Sequence, residues 1–285
     1  MDDFSARYRV PPGHPVRLAA VETRVDDGLK RADAAAELET HRSALTALHD
    51  LLYVASTHAV LIILQGIDAS GKDGVIRNVF TAFNPAGCRV ISFKAPTPLE
   101  ARHDYLWRIH KNVPAHGEIV VFNRSHYESV LVERVHGIVP ADVWAKRYSE
   151  INGFEQVLAE SNTLLLKFFL HLSPEEQLER FHDRLNQPDK WWKLAVADWE
   201  DRERWNEYQA AFEEMLNRTS TDFAPWYVIP ADRKWYRDLA IARITRRCLE
   251  TLSDRWRAVM LEVGAQRRAE VKLYLESRET AFHSR

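Results

Sequence analysis

The densest chemistry in the chain lies in nine consecutive residues, Gly66-Ile67-Asp68-Ala69-Ser70-Gly71-Lys72-Asp73-Gly74. The spacing G-x-x-x-x-G-K, behind an apolar run and ahead of a helical pattern, is that of a phosphate cradle. Glycines let the backbone approach phosphate oxygens closely, the turn directs N–H groups inward, the helix start adds positive potential, and Lys72 adds a point charge. Gly66, Ala69, Ser70, Gly71, Lys72, Asp73 and Gly74 are therefore expected to bind phosphate. A plain glycine turn with a surface lysine is the simpler alternative, and the flanking strand and helix argue against it. The Ser or Thr that usually follows the lysine is Asp73, and a further carboxylate, Asp68, lies inside the loop. Carboxylates beside phosphates repel them unless a cation intervenes, so the loop predicts a divalent metal. Asp68 is the expected ligand, directly or through water, and Asp73 is either a ligand or a carboxylate favoured by the helix start.

A third apolar run, residues 118–122, ends in Asn123-Arg124-Ser125, where a cradle of this kind is usually faced by a metal-binding carboxylate. Asn123 offers a weaker oxygen ligand, and Arg124 can clamp a phosphate through two parallel N–H bonds. Other cations fall where loops after strands should converge: Arg77, Lys94, Arg108, Arg134, Arg184, Lys190, Lys193, Arg233 and Lys234. Between residues 71 and 134, nine Lys or Arg face six Asp or Glu in a chain whose net charge is -2. Taken singly, Arg77, Arg102 and Lys111 read as solvated surface. By position, Arg77, Lys94, Lys190, Lys193 and Arg233 join the expected phosphate-binding set. The twelve histidines show no H-E-x-x-H spacing and no G-x-S-x-G elbow occurs, which leaves zinc hydrolysis and serine esterase chemistry without support. Trp191, Trp192, Trp199 and Trp205 cluster, and packing is a better account of most of them than base stacking.

These residues need a frame. Apolar runs at 59–64, 89–93, 118–122, 163–169 and 226–229 are separated by helix-length segments. Strands so separated pair in parallel through right-handed crossovers, with helices on both faces, which predicts an α/β fold: a three-layer α/β/α sandwich with a parallel sheet. Helical spacing spans 29–58, about 199–217 and about 232–275, and Ser173-Pro174-Glu175-Glu176 reads as a capped helix start running to about Leu185. Residues 186–200, with Pro188 and paired tryptophans, read as a lid. Residues 1–58 are expected to form an arm and long helix packed on a core unit of 59–285, a single domain overall. The 285 residues are 46% apolar and 28% charged, an ordinary folded composition. No apolar run approaches the length of a membrane span, no secretory signal is evident, and the two cysteines, Cys88 and Cys248, suggest no disulfide framework. A cytoplasmic protein without nucleic-acid or membrane partners is expected.

The ordered motifs resemble polyphosphate kinase family 2, its third class in particular. They are Gly-Ile-Asp-Ala-Ser-Gly-Lys-Asp-Gly at 66–74, Lys-Ala-Pro-Thr at 94–97, Leu-Trp-Arg at 106–108, Phe-Asn-Arg-Ser-His-Tyr-Glu at 122–128 and Val-Glu-Arg-Val-His-Gly at 132–137. Arg184 ahead of Lys-Trp-Trp-Lys at 190–193, Ala-Pro-Trp-Tyr at 224–227 and Pro-Ala-Asp-Arg-Lys-Trp at 230–235 continue the match. The resemblance implies a P-loop kinase fold similar to thymidylate kinases, closed by a lid. It also implies that the cradle holds inorganic polyphosphate while AMP or ADP enters from the other side as acceptor. By the same resemblance Asp68, Lys72, Arg124 and Arg184 form the catalytic set, and Asp68 and Asn123 hold Mg²⁺, with Mn²⁺ as a substitute. Lys94, Arg108, Asn123, Arg124, Glu128 and Arg134 form the nucleotide set, with Glu128 facing the adenine amino group. A homo-oligomer, dimer or tetramer, is also implied. The lid departs from the family pattern at Leu194-Ala195. An ATP-dependent nucleotide kinase of the same fold and a noncatalytic polyphosphate-binding protein are the competing readings.

Overall fold

The structure, a computed structural model, describes residues 4–283; the outermost positions of the expected arm and core unit, 1–3 and 284–285, lie outside the described residues. Strands β1 (Ala59–Gln65), β2 (Cys88–Ser92), β3 (Ile119–Asn123), β4 (Thr163–His171) and β5 (Trp226–Pro230) form one parallel sheet in the order β2-β3-β1-β4-β5. In register, Leu64 of β1 stands beside Asn123 of β3 on one side and Phe168 of β4 on the other, so β1 and β3 end within a residue of each other while β4 runs on to His171. From β1 the chain crosses to β2 at one edge, and from β3 it crosses past β1 to β4 on the other side; the crevice outside such a switch point is where open α/β sheets bind ligands.

Ten helices accompany the sheet among the described residues: α1 (Phe4–Tyr8), α2 (Arg31–Ala55), α3 (Lys72–Asn78), α4 (Trp107–His110), α5 (Val132–Val135), α6 (Ala141–Glu160), α7 (Pro174–Leu185), α8 (Val196–Glu203), α9 (Trp205–Thr219) and α10 (Lys234–His283). The alternation along β4 shows both covered faces. Lys167 and Phe169 meet Glu155 of α6 and Phe212 of α9, whereas Phe168 meets Tyr227, whose hydroxyl lies 3.7 Å from Cys248 of α10. Burial on both sides is why β1 reads as an unbroken apolar run and β4 as one interrupted only by Lys167 between its apolar residues. Helix α2 lies along α10, pinned by a two-pronged contact from Arg243 to Glu37.

The expected elements are present with shifted ends. Helix α2 stops at Ala55 because Ser56 turns left-handed, with φ +49°. At α7 the Ser173 hydroxyl accepts from the Glu176 N–H at 3.2 Å, with Pro174 in the first position. The segment expected as one helix over 199–217 is two, α8 and α9, with the break at Arg204, whose guanidinium donates to the Val135 carbonyl at 2.7 Å. The segment expected as a lid is a short 3₁₀ turn, Pro188–Lys193, leading into α8. The arm lies against β5, where the Val10 N–H donates to the Trp226 carbonyl at 2.8 Å and Arg9 bridges Tyr227, which blunts an otherwise open sheet edge. Among the described residues no helix is long and apolar enough to cross a membrane.

Under the β3 end the core holds a charged cluster. Lys167 donates to Glu155 (2.6 Å), the Tyr127 hydroxyl (2.9 Å) and the Thr219 carbonyl (2.7 Å), and all four residues are fully buried. Burial alone would raise the Glu155 carboxyl, but Lys167 and His126 hold it below the usual range, so it is ionised. Removing one member of a buried pair strands the other charge. Glu155→Ala is therefore expected to cost about 3–5 kcal/mol by urea unfolding, and replacing both Glu155 and Lys167 by apolar residues far less.

Candidate active site

From Gln65 the chain turns directly into the loop. At Gly66, φ is +150° and a Cβ would meet the Leu170 carbonyl at 2.9 Å; at Gly71, φ is +100° and a Cβ would fall 1.8 Å from Arg237 Nη1. Lys72 Nζ folds back to donate to the carbonyls of Gly66 (2.6 Å) and Ile67 (3.3 Å). The underside is held by buried side chains. Gln177 Nε2 donates to the Asp68 carbonyl (3.0 Å), Arg180 Nη1 to those of Ala69 (2.8 Å) and Ser70 (3.2 Å), and Arg237 Nη1 to that of Ser70 (3.1 Å). Peptide N–H groups point opposite to the preceding carbonyl, so fixing these carbonyls inward turns the N–H groups of Ala69 and Gly71 toward the cleft their residues line.

The facing wall comes from the end of β3. Arg124 adopts φ +61°, a strained conformation for a residue with a side chain. Its guanidinium reaches Asp68 at 2.5 Å and Glu128 at 3.5 Å, and Glu128 also accepts from Gln65 Nε2 at 3.0 Å. Asn123 Nδ2 donates to Asp73 at 2.7 Å. Burial would raise Asp68, but Arg124, Lys72 and Arg184 hold it below the ordinary carboxylate range. Burial and then Arg124 push Lys72 down, while Glu128 and Asp68 push Arg124 up against the opposing effect of burial. From the lid, Lys193 comes within 4.0 Å of Asp73, and Asp198 of α8 accepts from Arg184 at 3.0 Å. Burial and the nearby Asp68 raise the Asp198 carboxyl.

These walls enclose a cleft of about 1660 Å³ at the carboxyl ends of the strands. It brings together Asp68, Ala69, Gly71, Lys72, Asp73, Gly74, Arg77, Lys94, Arg108, Asn123, Arg124, Glu128, Arg184, Lys190 and Lys193 from the expected set. Gly66 and Ser70 are in the loop but turned into the body, Gly66 at the strand end and Ser70 with its hydroxyl buried and its carbonyl bonded from below. Arg134 and Arg233, expected at the site, do not line the cleft. Arg134 is drawn to Glu214 (2.6 Å) and lies over the Trp144 ring; Arg233 pairs with Asp26 of the arm (3.0 Å). Sequence reasoning missed Gln177, Arg180 and Arg237 beneath the loop. Their one visible signal is on α7, where Gln177, Arg180, Phe181 and Arg184 share a stripe at helical spacing. Trp199 packs on Phe181 at 5.0 Å, in keeping with a packing role.

The lining from α7, the lid and α10 is dominated by cations, with Arg180, Arg184, Lys190, Lys193, Lys234 and Arg237 relieved by little more than Asp183 and two alanines. The opposite end adds apolar walls from Phe93, Tyr105, Ile109, Val132, Ile138 and Val143, together with charged side chains of both signs, among them Lys94, Arg108, Lys146, Arg147, Glu100, Asp104, Glu133 and Glu150. Anionic groups entering from the two ends would meet at Arg124. The oxygens of Asp68, Asp73 and Asn123 are hard donors suited to a divalent cation such as Mg²⁺. No group of three or more His, Cys, Asp or Glu stands ready to hold a metal among the described residues, so this donor set fits a cation that takes its remaining ligands from phosphate and water.

Comparison with known proteins gives a consistent picture. Residues 28–255 match the family model described as polyphosphate kinase 2. The chain is 48% identical over 250 residues to an AMP/ADP-polyphosphate phosphotransferase of Meiothermus ruber, covering 87% of this chain and 93% of that one. It is 42% identical over 259 residues to an ADP-polyphosphate phosphotransferase of Rhodopseudomonas palustris, covering 86% and 90%. Among solved structures, polyphosphate kinase 2 from Arthrobacter aurescens TC1 superposes with a TM-score of 0.84 at 38% identity, over 87% of this chain and 89% of that one.

The tight approach at the loop is open to a direct test. Gly71→Ala places a Cβ against Arg237, whose guanidinium is buried and tied to Ser70 and Asp238 and so has little room to yield. The expected loss is at least about 2 kcal/mol by urea unfolding. Gly137→Ala, at φ +62° but with open space around it, should cost only the conformational part, about 1–2 kcal/mol.

Proposed function

The chain belongs to the polyphosphate kinase 2 family, and on that premise we propose that it transfers the terminal phosphoryl group of inorganic polyphosphate to AMP and to ADP. The observation that carries this reading is the placement of Arg124, set by its left-handed backbone between Asp68 of the loop and Glu128 of the opposite wall. The unequal ends of the cleft support the assignment of substrates. A run of cations with little apolar lining suits a linear polyanion, and an apolar recess that also carries Lys94 and Arg108 suits a nucleoside carrying phosphates.

The acceptor oxygen is a phosphate oxygen, and with a second phosphate pKa near about 6 it is already ionised near neutral pH. No strong base is then required, and catalysis rests on positioning and charge neutralisation. Lys72, with the N–H groups of the loop, would hold the donor end. Arg124 would exchange its contact with Asp68 for the phosphates that meet there, and Arg184 would join it from α7 as charge shifts onto the transferring group. Lys94 and Arg108 would anchor the acceptor phosphates, with Glu128 turned to the nucleoside. Asp68 and Asn123, with Asp73 alongside, would hold the divalent cation, whose chemistry is to neutralise phosphate oxygens. The lid would keep water from the donor. Since one phosphoanhydride replaces another, the reaction should run in both directions.

Phosphorus NMR of the protein with Mg²⁺, long-chain polyphosphate and AMP, with no ATP added, should show ADP and then ATP; absence of both would sink the reading. Lys72→Ala is expected to cost about 3 kcal/mol or more of transition-state stabilisation, so that transfer all but disappears on the same timescale. Asp68→Asn should raise the Mg²⁺ concentration for half-maximal rate about tenfold or more, and an unchanged titration would remove Asp68 from the metal.

A further inference from the structure

Arg184 reaches the cleft from the last turn of α7, where its guanidinium lies 5.5 Å from the Phe181 ring, and the hydrogen bond that sets its direction comes from the lid. Its Nη1 donates at 3.0 Å to Asp198 Oδ2 in the first turn of α8, and both side chains are about one-fifth exposed. Asp198 is the hydrogen-bond partner of the Arg184 side chain among the described residues. The remaining N–H groups of the fork are thus free for a phosphate.

The same face of α8 is fastened along the rest of α7. Four residues on, Arg202 donates to Gln177 Oε1 at 2.9 Å and to the Pro174 carbonyl at 2.8 Å, and Gln177 Nε2 donates to the Asp68 carbonyl at 3.0 Å. Between them the Trp199 ring packs on Phe181. Helix α8 therefore runs antiparallel to α7, and it touches the support of the phosphate loop at one end and the cleft arginine at the other. An arginine side chain loses rotamer freedom when fixed, so one without a partner would have to be ordered by substrate on each turnover.

We propose that Asp198 is a positioning residue: carried on the lid helix, it orients Arg184 toward the reacting phosphates, so that this arginine is presented only while the lid is down. The arrangement couples two requirements of the reaction, since the group that stabilises the transferring phosphoryl is ready only when water is shut out. The proposal rests on the phosphotransfer reading above and predicts an effect that Asp198 exerts through Arg184 alone.

The test is a double-mutant cycle on the full chain, with AMP phosphorylation by polyphosphate measured for the wild type, D198A, D198E, R184A and D198A/R184A. D198A should lower kcat about tenfold or more while KM for AMP and for polyphosphate stays within about threefold. D198E should recover much of the loss, and D198A should add no further loss in the R184A background. Unchanged kcat in D198A, or the same fold-loss in both backgrounds, overturns the proposal. Should the wild type itself fail to transfer, the functional reading falls, and amide exchange of the substrate-free protein decides the link separately. D198A and R184A should each speed exchange over Val196–Glu203 to a similar extent, and exchange unaltered in both would mean that this pair does not seat the lid.

Discussion

The architecture follows from one electrostatic constraint: cations gathered to meet phosphate must also be stable before phosphate arrives. Lys72, Arg124 and Arg184 converge on one region of a partly dehydrated cleft, where like charges repel far more than they would in water. The chain answers with carboxylates placed among them. Asp68 takes Arg124, Glu128 shares it, and Asp198 takes Arg184. The consequence is visible in the shifts, because Asp68 is held low although burial alone would push it up. In the proposed mechanism the two carboxylates then part ways: Asp68 gives up Arg124 to phosphate and turns to the metal, whereas Asp198 keeps Arg184 and orients it.

Holding such a site requires rigidity beneath it, and the structure supplies this with buried polar contacts instead of further apolar packing. Arg180 bridges the loop carbonyls of Ala69 and Ser70 to those of Ala231 and Asp232, so one guanidinium ties the phosphate loop to the connection between β5 and α10. On the other wall, Arg124 holds a backbone conformation that costs about 1–3 kcal/mol. Two residues after it begins the segment His126-Tyr127, whose side chains both reach the Glu155 carboxylate in the core. Strain at the surface of the cleft is thus anchored to a charge pair that cannot be disturbed cheaply.

Much of this was legible in the chain itself, and the boundary of legibility has a physical meaning. The strands were readable because a sheet covered on both faces needs predominantly apolar runs, as at Ala59–Gln65 and, around Lys167, at Thr163–His171. The phosphate loop was readable because its glycines and Lys72 are demanded by local geometry. Direction of a long side chain is different, since it is decided by partners distant in sequence. Arg134 follows the motif region closely yet turns to Glu214, 80 residues on, and Arg233 turns back to Asp26. Arg180 and Arg237 escaped for the converse reason, because a buried arginine looks in sequence like any solvated one. The break at Arg204 was hidden because helical periodicity continues through it, and it is a tertiary bond to Val135 that accompanies the change of direction.

The two sides of the cleft differ in the kind of contact that holds them. Below, the loop is held by hydrogen bonds from side chains at most a few per cent exposed, which are expensive to break and cannot be exchanged for water. Above, the lid touches the loop through Lys193 and Asp73 at 4.0 Å, with Asp73 largely exposed, a contact that contributes little to stability. A lid that must admit a polyanion and release a nucleotide needs contacts of the second kind, whereas a cradle that must not relax around its ligand needs the first. The contact between Arg184 and Asp198, of intermediate exposure, falls where the two regimes join, and in the proposed mechanism movement of the lid there alters the electrostatics of the site.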